Sequence, residues 1–217
     1  MDAGIGNGLK TKLTEALGLK DFKLAKTYIS TAYISITLIL IIIFCIASVL
    51  IFSFNLQDLF NTSVLTNKEL CTVLLTTLIL IITGFVLNLY KSFYYANQQA
   101  SKVELSMLIY QIIILFTVTI VLNFFPRNLL FIALLYGVSN ILIGLVFTFL
   151  FFRKNKQLIP SFKFFSKEKV NDLMGLSLAF FMIQLCMIVI FTTDNLIITK
   201  LIGPKEVANY DIVYKLF

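Results

Sequence analysis

The sequence predicts an all-α membrane protein, a polytopic helical bundle with about five complete transmembrane helices and partial ones at each end. Three observations predict it. Hydrophobic residues fill 59% of the 217 positions, charged residues only 13%, and the mean hydropathy is +0.94. A soluble domain carries about 25% charged residues, so this chain lacks the charge to cover a water-facing surface. Five charge-free stretches, 27–57, 70–90, 105–126, 128–152 and 173–193, each reach the roughly 20 residues a helix needs to cross a ~30 Å hydrocarbon layer. Finally, Lys and Arg gather between alternate stretches. The composition excludes a soluble enzyme, a secreted disulfide scaffold and a disordered tail.

The elements follow in chain order. Leu9, Leu13, Ala16 and Leu17 recur at helical spacing, with Gly18 as a stop and Lys10, Lys12 and Lys20 flanking the stripe. This predicts a short helix, either interfacial or a plain connector. Spans are expected near 28–54, 69–90, 103–124, 128–152 and 173–200. Their Ile and Val would suggest strands in water, but in lipid the backbone must satisfy its own hydrogen bonds, which selects helices. The first span is too long for a cleaved signal peptide and follows a polar stretch rather than a short basic one. In the fourth span Gly137, Asn140 and Gly144 share a face and read as a packing seam; Gln111 in the third is a weaker case. The linker 152–169 alternates basic residues with Phe162, Phe164 and Phe165 around the helix breaker Pro160. It reads as lying against an anionic leaflet and as the boundary between two bundles. Gly203-Pro204 opens a further helix carrying Val207, Tyr210, Val213, Tyr214 and Phe217, too short to recross a bilayer. Both ends read as edges of a larger bundle.

Charge sets the orientation. The segments before span one, between spans two and three, and between spans four and five hold thirteen Lys and Arg, among them Lys23, Lys26, Lys91, Lys102, Arg153 and Lys163; the opposite side holds four, Lys68, Arg127, Lys200 and Lys205. By the positive-inside rule the N-terminus of this chain is cytoplasmic.

Little covalent chemistry is available. The chain has no His, which removes His-based acid–base catalysis, His-containing zinc motifs and the Ser-His-Asp arrangement. Cys45, Cys71 and Cys186 lie in or beside apolar runs without CxxC spacing, as expected for burial in lipid or in the bundle. The net charge of +7 is scattered between apolar runs and forms no nucleic-acid patch.

One resemblance is specific. Gln184-Leu185-Cys186, Thr193-Asp194-Asn195-Leu196-Ile197-Ile198, Gly203-Pro204-Lys205-Glu206-Val207, Tyr210 and Tyr214-Lys215 resemble the central segment of Wzx-type polysaccharide flippases of the multidrug/oligosaccharidyl-lipid/polysaccharide (MOP) exporter superfamily. The opening Asp2-Ala3-Gly4-Ile5-Gly6-Asn7-Gly8-Leu9 resembles an element near the end of that family's second helix, and Ser30-Thr31-Ala32-Tyr33 the start of its third. Ala96-Asn97-Gln98 and Pro160-Ser161 match looser loop patterns. Asp211 stands where the family often has Asn.

The resemblance implies a fragment of a two-lobed, twelve-helix MOP fold. Residues 1–27 would be the end of helix two and a cytoplasmic connector, 28–152 four transmembrane helices of the N-lobe, 153–172 the basic inter-lobe linker, and 173–217 the first C-lobe helix and the start of the next. The implied function is not enzymatic: flipping of undecaprenyl-pyrophosphate-linked oligosaccharide across the bacterial inner (plasma) membrane, with other polysaccharide assembly proteins as partners. A fragment of one lobe is not expected to transport alone. The alternatives are a MATE-like small-molecule exporter and a membrane enzyme of polysaccharide assembly, the latter expected to show a large outer loop bearing Arg or His. No cofactor is implied beyond coupling to a proton or sodium gradient.

Six residues are the candidate binding groups. In span five, Gln184 and Asn195 share a polar stripe with Ser177, within about 20° on an ideal helical wheel, facing either a cavity or a neighbouring helix. Asp194, off the stripe, would bind a coupling ion or substrate, or hold an outer gate with Lys200. Asp2 and Asn7 sit among Gly4, Gly6 and Gly8, where the helix end either packs tightly or opens around a ligand. Lys215 would meet a phosphate or snorkel to the interface.

Overall fold

The computed structural model describes residues 4–59, 65–124 and 129–201, with Gly203, Val207 and Tyr210; the side chains at 121–124, 191, 194–196, 199 and 201 lie outside the described set. Eight α-helices are found among the described residues: α1 (Ile5–Gly18), α2 (Phe22–Ser53), α3 (Leu56–Leu59), α4 (Asn67–Leu87), α5 (Tyr90–Ala96), α6 (Ala100–Phe124), α7 (Leu129–Lys154) and α8 (Lys167–Leu201). Two 3₁₀ turns, Lys156–Leu158 and Phe162–Phe164, flank Pro160 in the linker. No strand occurs among the described residues.

Among the described residues five helical segments are long and apolar enough to cross a membrane, with α4 and α5 counting as one, and they overlap the five expected spans. The protein is an all-α, multi-pass membrane protein. Only 11% of each spanning window is buried within the chain itself. Ile42, Val49, Phe116, Phe149 and Val189 all face outward. In water such a continuous apolar exterior would far exceed what a monomer tolerates; in a bilayer it faces lipid. Several hydroxyls inside the spans close onto their own helices, as Thr77 Oγ1 donates to Val73 O at 2.7 Å and Thr83 Oγ1 to Ile79 O at 2.8 Å.

Helix boundaries follow local chemistry. Lys20 adopts a left-handed φ of 57° between α1 and α2, and Asp21 then caps α2 by accepting from Leu24 N at 2.9 Å. Thr66 and Glu69 form a reciprocal capping box at the start of α4. Gln98, also left-handed at φ 57°, turns α5 into α6. The Ala96-Asn97-Gln98 triplet is thus a helix stop.

The apolar stripe of 9–18 packs into the bundle. It belongs to a longer helix, α1, inserted among α2, α5 and α8, where Leu9, Leu13 and Ala16 are fully buried. Two glycines permit this depth. Gly4 has φ +76°, and a Cβ there would collide with Ser177 O and stand 2.6 Å from Phe181 N. A Cβ on Gly8 would collide with Ser177 Oγ and stand 3.2 Å from Leu173 O. Backbone of α1 therefore lies directly on backbone of α8. The α4–α7 seam uses the same device, with Gly84 against Asn140, Gly137 against Leu80 and Gly144 against Leu87.

Span two also runs further than expected. After a break at Asn88 and Leu89 the chain forms α5, whose Tyr90, Phe93 and Tyr94 are buried. Phe93 meets Phe151 at 5.3 Å between ring centroids, and Tyr90 meets Phe147 at 5.6 Å. Both buried tyrosine hydroxyls find partners: Tyr90 with Ser106 Oγ at 2.6 Å, and Tyr94 donating to Phe147 O at 3.2 Å.

Overpacking the α1–α8 contact destabilises the bundle. Gly8→Val should cost about 1–3 kcal/mol and lower the thermal unfolding midpoint of the detergent-solubilised chain. Gly18→Ala, with nothing within 4 Å of the added methyl, should leave it unchanged or slightly raised.

Candidate functional site

The lysine-rich end of the bundle holds a pocket of about 220 Å³. Its polar wall comes from three places: Asn7 and Lys10 on α1, Asn88 in the α4–α5 break, and Lys91, Ser92 and Tyr95 on α5. Ile36 of α2, Phe85 of α4 and Met107 of α6 form an apolar wall. Among the described residues no carboxylate lines it.

Two elements fix the polar wall. Ser92 Oγ, buried, donates to Gly6 O at 2.8 Å and so ties α5 to the first turn of α1. Lys10 Nζ sits 5.2 Å from the centre of the Tyr95 ring, and Lys91 Nζ 6.0 Å from that of Tyr90, within cation–π range. Tyr95 in turn donates its hydroxyl to Glu104 Oε1 at 3.1 Å. The pocket thus presents ammonium, amide and hydroxyl groups beside an apolar flank, the chemistry of a host for an anion joined to hydrocarbon.

Of the six expected site residues, Asn7 reaches this pocket. Gln184 is half-buried midway along α8 and does not line it. Asp194 and Asn195 belong to the C-terminal part of α8, with side chains outside the described set; Asp2 and Lys215 lie outside the described residues altogether. Ser177, placed on the same stripe as Gln184, faces α1 instead: it is buried against Gly4 and Gly8, and its Oγ is without a hydrogen-bond partner among the described residues. That end of the stripe is a packing contact.

Lys10 and Lys91 were legible as orientation charges only. The cluster Tyr90-Lys91-Ser92-Phe93-Tyr94-Tyr95 was the available signal, since such aromatic density beside a lysine is unusual for a solvated loop.

A second constellation joins α8 to the start of α2. Ser161 N donates to Ser30 Oγ at 3.0 Å and Ser166 N to Thr31 Oγ1 at 3.2 Å; both hydroxyls are buried. Lys26 Nζ lies 4.6 Å above the Phe164 ring. Tyr28 donates to Asp172 Oδ2 at 3.4 Å, and Lys169 pairs with Asp172 at 3.0 Å and with Glu168 at 3.4 Å. The Ser30-Thr31 and Pro160-Ser161 motifs, 131 positions apart from Ser30 to Ser161, thus meet in space. Nearby, Glu15 accepts from Lys12 at 2.8 Å and holds that ammonium above its usual pKa.

Comparison with known families agrees with this architecture. A model described as "Polysaccharide biosynthesis protein" matches residues 20–217. The chain belongs to that family. Its role therefore lies in polysaccharide assembly or export, at a membrane. The match begins after α1 and covers every spanning helix, the linker and α8. No curated protein and no solved structure gives a significant match.

The latch between linker and α2 is testable. Ser30→Ala with Thr31→Ala removes two acceptors, each worth about 0.5–1.5 kcal/mol. Limited trypsin digestion in detergent should then cut at Lys163 several-fold faster than in the parent chain, with cutting at exposed Lys20 unchanged.

Proposed function

We propose that this protein serves polysaccharide export as a flippase component, moving lipid-linked saccharide repeat units from the inner to the outer leaflet of a bacterial plasma membrane. The match to the polysaccharide biosynthesis family across a five-span bundle is the observation that carries the reading. A pyrophosphate-bearing sugar headgroup cannot enter hydrocarbon bare, because desolvating an isolated charge costs tens of kcal/mol on idealised estimates. Helices that enclose polar and cationic groups within an apolar exterior lower that barrier. The lipid tail stays in the bilayer throughout, and no bond is made or broken.

Orientation supports the same reading. With the lysine-rich end in the cytoplasm, the pocket edged by Lys10 and Lys91 opens where lipid-linked units are assembled. Support for transport in place of catalysis comes from the polar wall, whose lysines, amides and hydroxyls are binding groups.

Deleting the gene in its native host should abolish surface polysaccharide and leave lipid-linked repeat units accumulated, with their sugars accessible only from the cytoplasmic face of everted vesicles. Normal export together with heightened sensitivity to small-molecule drugs would instead assign the chain to drug efflux and overturn the proposal.

A further inference from the structure

We infer that the linker between α7 and α8 is a docking site for an anionic phospholipid of the surrounding bilayer, with Phe162 set among the acyl chains and Lys156 and Lys163 at the headgroup. The leaflet meant is the one bordering the lysine-rich end of the bundle, whatever the bundle carries across.

Depth comes first. Ser161 N donates to Ser30 Oγ at 3.0 Å and Ser166 N to Thr31 Oγ1 at 3.2 Å, so the linker is fastened to α2 at the level of Ser30 and Thr31. Lys26 is the last charge before the apolar run of α2, and Ser30 lies about one helical turn beyond it. The neighbouring helices give the same level: α7 ends in Arg153 and Lys154, and α8 begins at Lys167. Three helices thus pass between charged and apolar sequence beside the linker, which sets it at the boundary of headgroups and hydrocarbon.

Fixed shape comes second. Leu158 is buried in the core, and Lys26 Nζ lies 4.6 Å above the Phe164 ring. Between these anchors Phe162 is 88% exposed, more than any other large apolar side chain among the described residues. An anchored turn therefore holds the ring outward, at a depth where an apolar ring meets lipid. Beside it the linker and α2 leave a groove of about 180 Å³, lined by Ser30, Tyr33, Ile34, Pro160, Ser161 and Phe162. None of these carries a charge, and Ser30 Oγ is already engaged by Ser161 N. The groove is below the roughly 300–1,000 Å³ of pockets that enclose whole drug-sized ligands. It suits a stretch of one acyl chain lying against Phe162.

Charge selects the headgroup. Residues 153–169 contain six Lys and Arg against one acid, Glu168. Lys169 holds Glu168 at 3.4 Å and the nearby Asp172 at 3.0 Å. Lys156 and Lys163 are exposed on the two 3₁₀ turns that flank Pro160. A basic segment within a Debye length of an anionic leaflet is drawn to it, and the long lysine stems let the ammonium groups reach headgroups while the turn sits deeper.

The chain contains no tryptophan, so Phe162→Trp supplies a single emitter at the site. The 217-residue chain carrying it is placed in phosphatidylcholine nanodiscs with a small share of either phosphatidylglycerol or phosphatidylcholine bearing brominated acyl chains. Emission should lie at shorter wavelength than that of tryptophan in water. At low salt brominated phosphatidylglycerol should quench it about threefold more strongly than brominated phosphatidylcholine. High salt, or Lys156→Gln with Lys163→Gln, should remove most of that difference, whereas Lys156→Arg with Lys163→Arg should keep it. Lys20→Gln, at the α1–α2 turn, should change nothing. Equal melting temperatures establish that all variants are folded; should Phe162→Trp melt early, Ile159→Trp reports from the same linker with the same expectations. Water-like emission overturns insertion. Short-wavelength emission that neither lipid quenches shows protein over Phe162, a second copy or another segment, and overturns the lipid as occupant. Equal quenching by the two lipids, or a preference that survives the double Gln variant, overturns headgroup recognition by these lysines.

Discussion

Backbone contact between α1 and α8 at Gly4 and Gly8 is the constraint on which the rest of this structure hangs. With no side chain between them, the helices approach until Ser177 O and Phe181 N crowd the place of a Cβ on Gly4, and Leu173 O stands 3.2 Å from that of one on Gly8. That closeness seats Leu9, Leu13 and Ala16 in the core and brings Gly6 within reach of Ser92. The pocket's polar wall exists because of that placement: Asn7 and Lys10 ride on α1, and a shift of α1 outward would carry them away from Lys91. The Ser177 Oγ, without a hydrogen-bond partner among the described residues, is a cost of the same arrangement, about 1–3 kcal/mol for an unsatisfied buried polar atom, offset by the contacts that the close approach allows.

The molecule divides into two regimes. Toward its exterior the spans are apolar and mostly lipid-facing, and several of their hydroxyls bond to their own helices. Toward the lysine-rich end the polar groups bond between elements instead: linker to α2, α2 to α8, α5 to α1 and α6. Interhelical hydrogen bonds in a membrane are individually modest, about 0.6 kcal/mol on average. Their value here is geometric. They determine which helices move together, and they couple the first turns of α8 to α2 through the linker. For a family engaged in polysaccharide assembly or export, a rigid basic end beside a lipid-facing barrel of helices is a sensible division of labour.

How much of this was legible beforehand varies by element. The spans were, because a charge-free run of that length has one stable solution in hydrocarbon. The α7 side of the α4–α7 seam was, because Gly137, Asn140 and Gly144 share a face at helical spacing; its partner α4 was not. The depth of α1 was not: its stripe of Leu9, Leu13, Ala16 and Leu17 looks the same whether it meets lipid headgroups or other helices, and only the positions of Ser177 and Leu173 distinguish the two. The turn after span two looked like a loop because Lys91 interrupts the apolar run, whereas Tyr90, Phe93 and Tyr94 are anchored by aromatic partners on α7 that lie more than fifty residues away.

By itself the sequence determined the solvent this chain folds in, the number of crossings and the end at which the lysines gather, since each depends only on local composition and on the energy of moving groups between water and lipid. Tertiary structure alone decided which polar residues became a site. On paper Asn7, a candidate binding group, and Ser177, a member of the polar stripe, could each pack or line a cavity; packing turned Ser177 into a helix contact and Asn7 into pocket lining. Pairing Lys10 with Lys91, and Ser30 with Ser161, required helices distant in the chain to be laid side by side, and no local pattern encodes that distance.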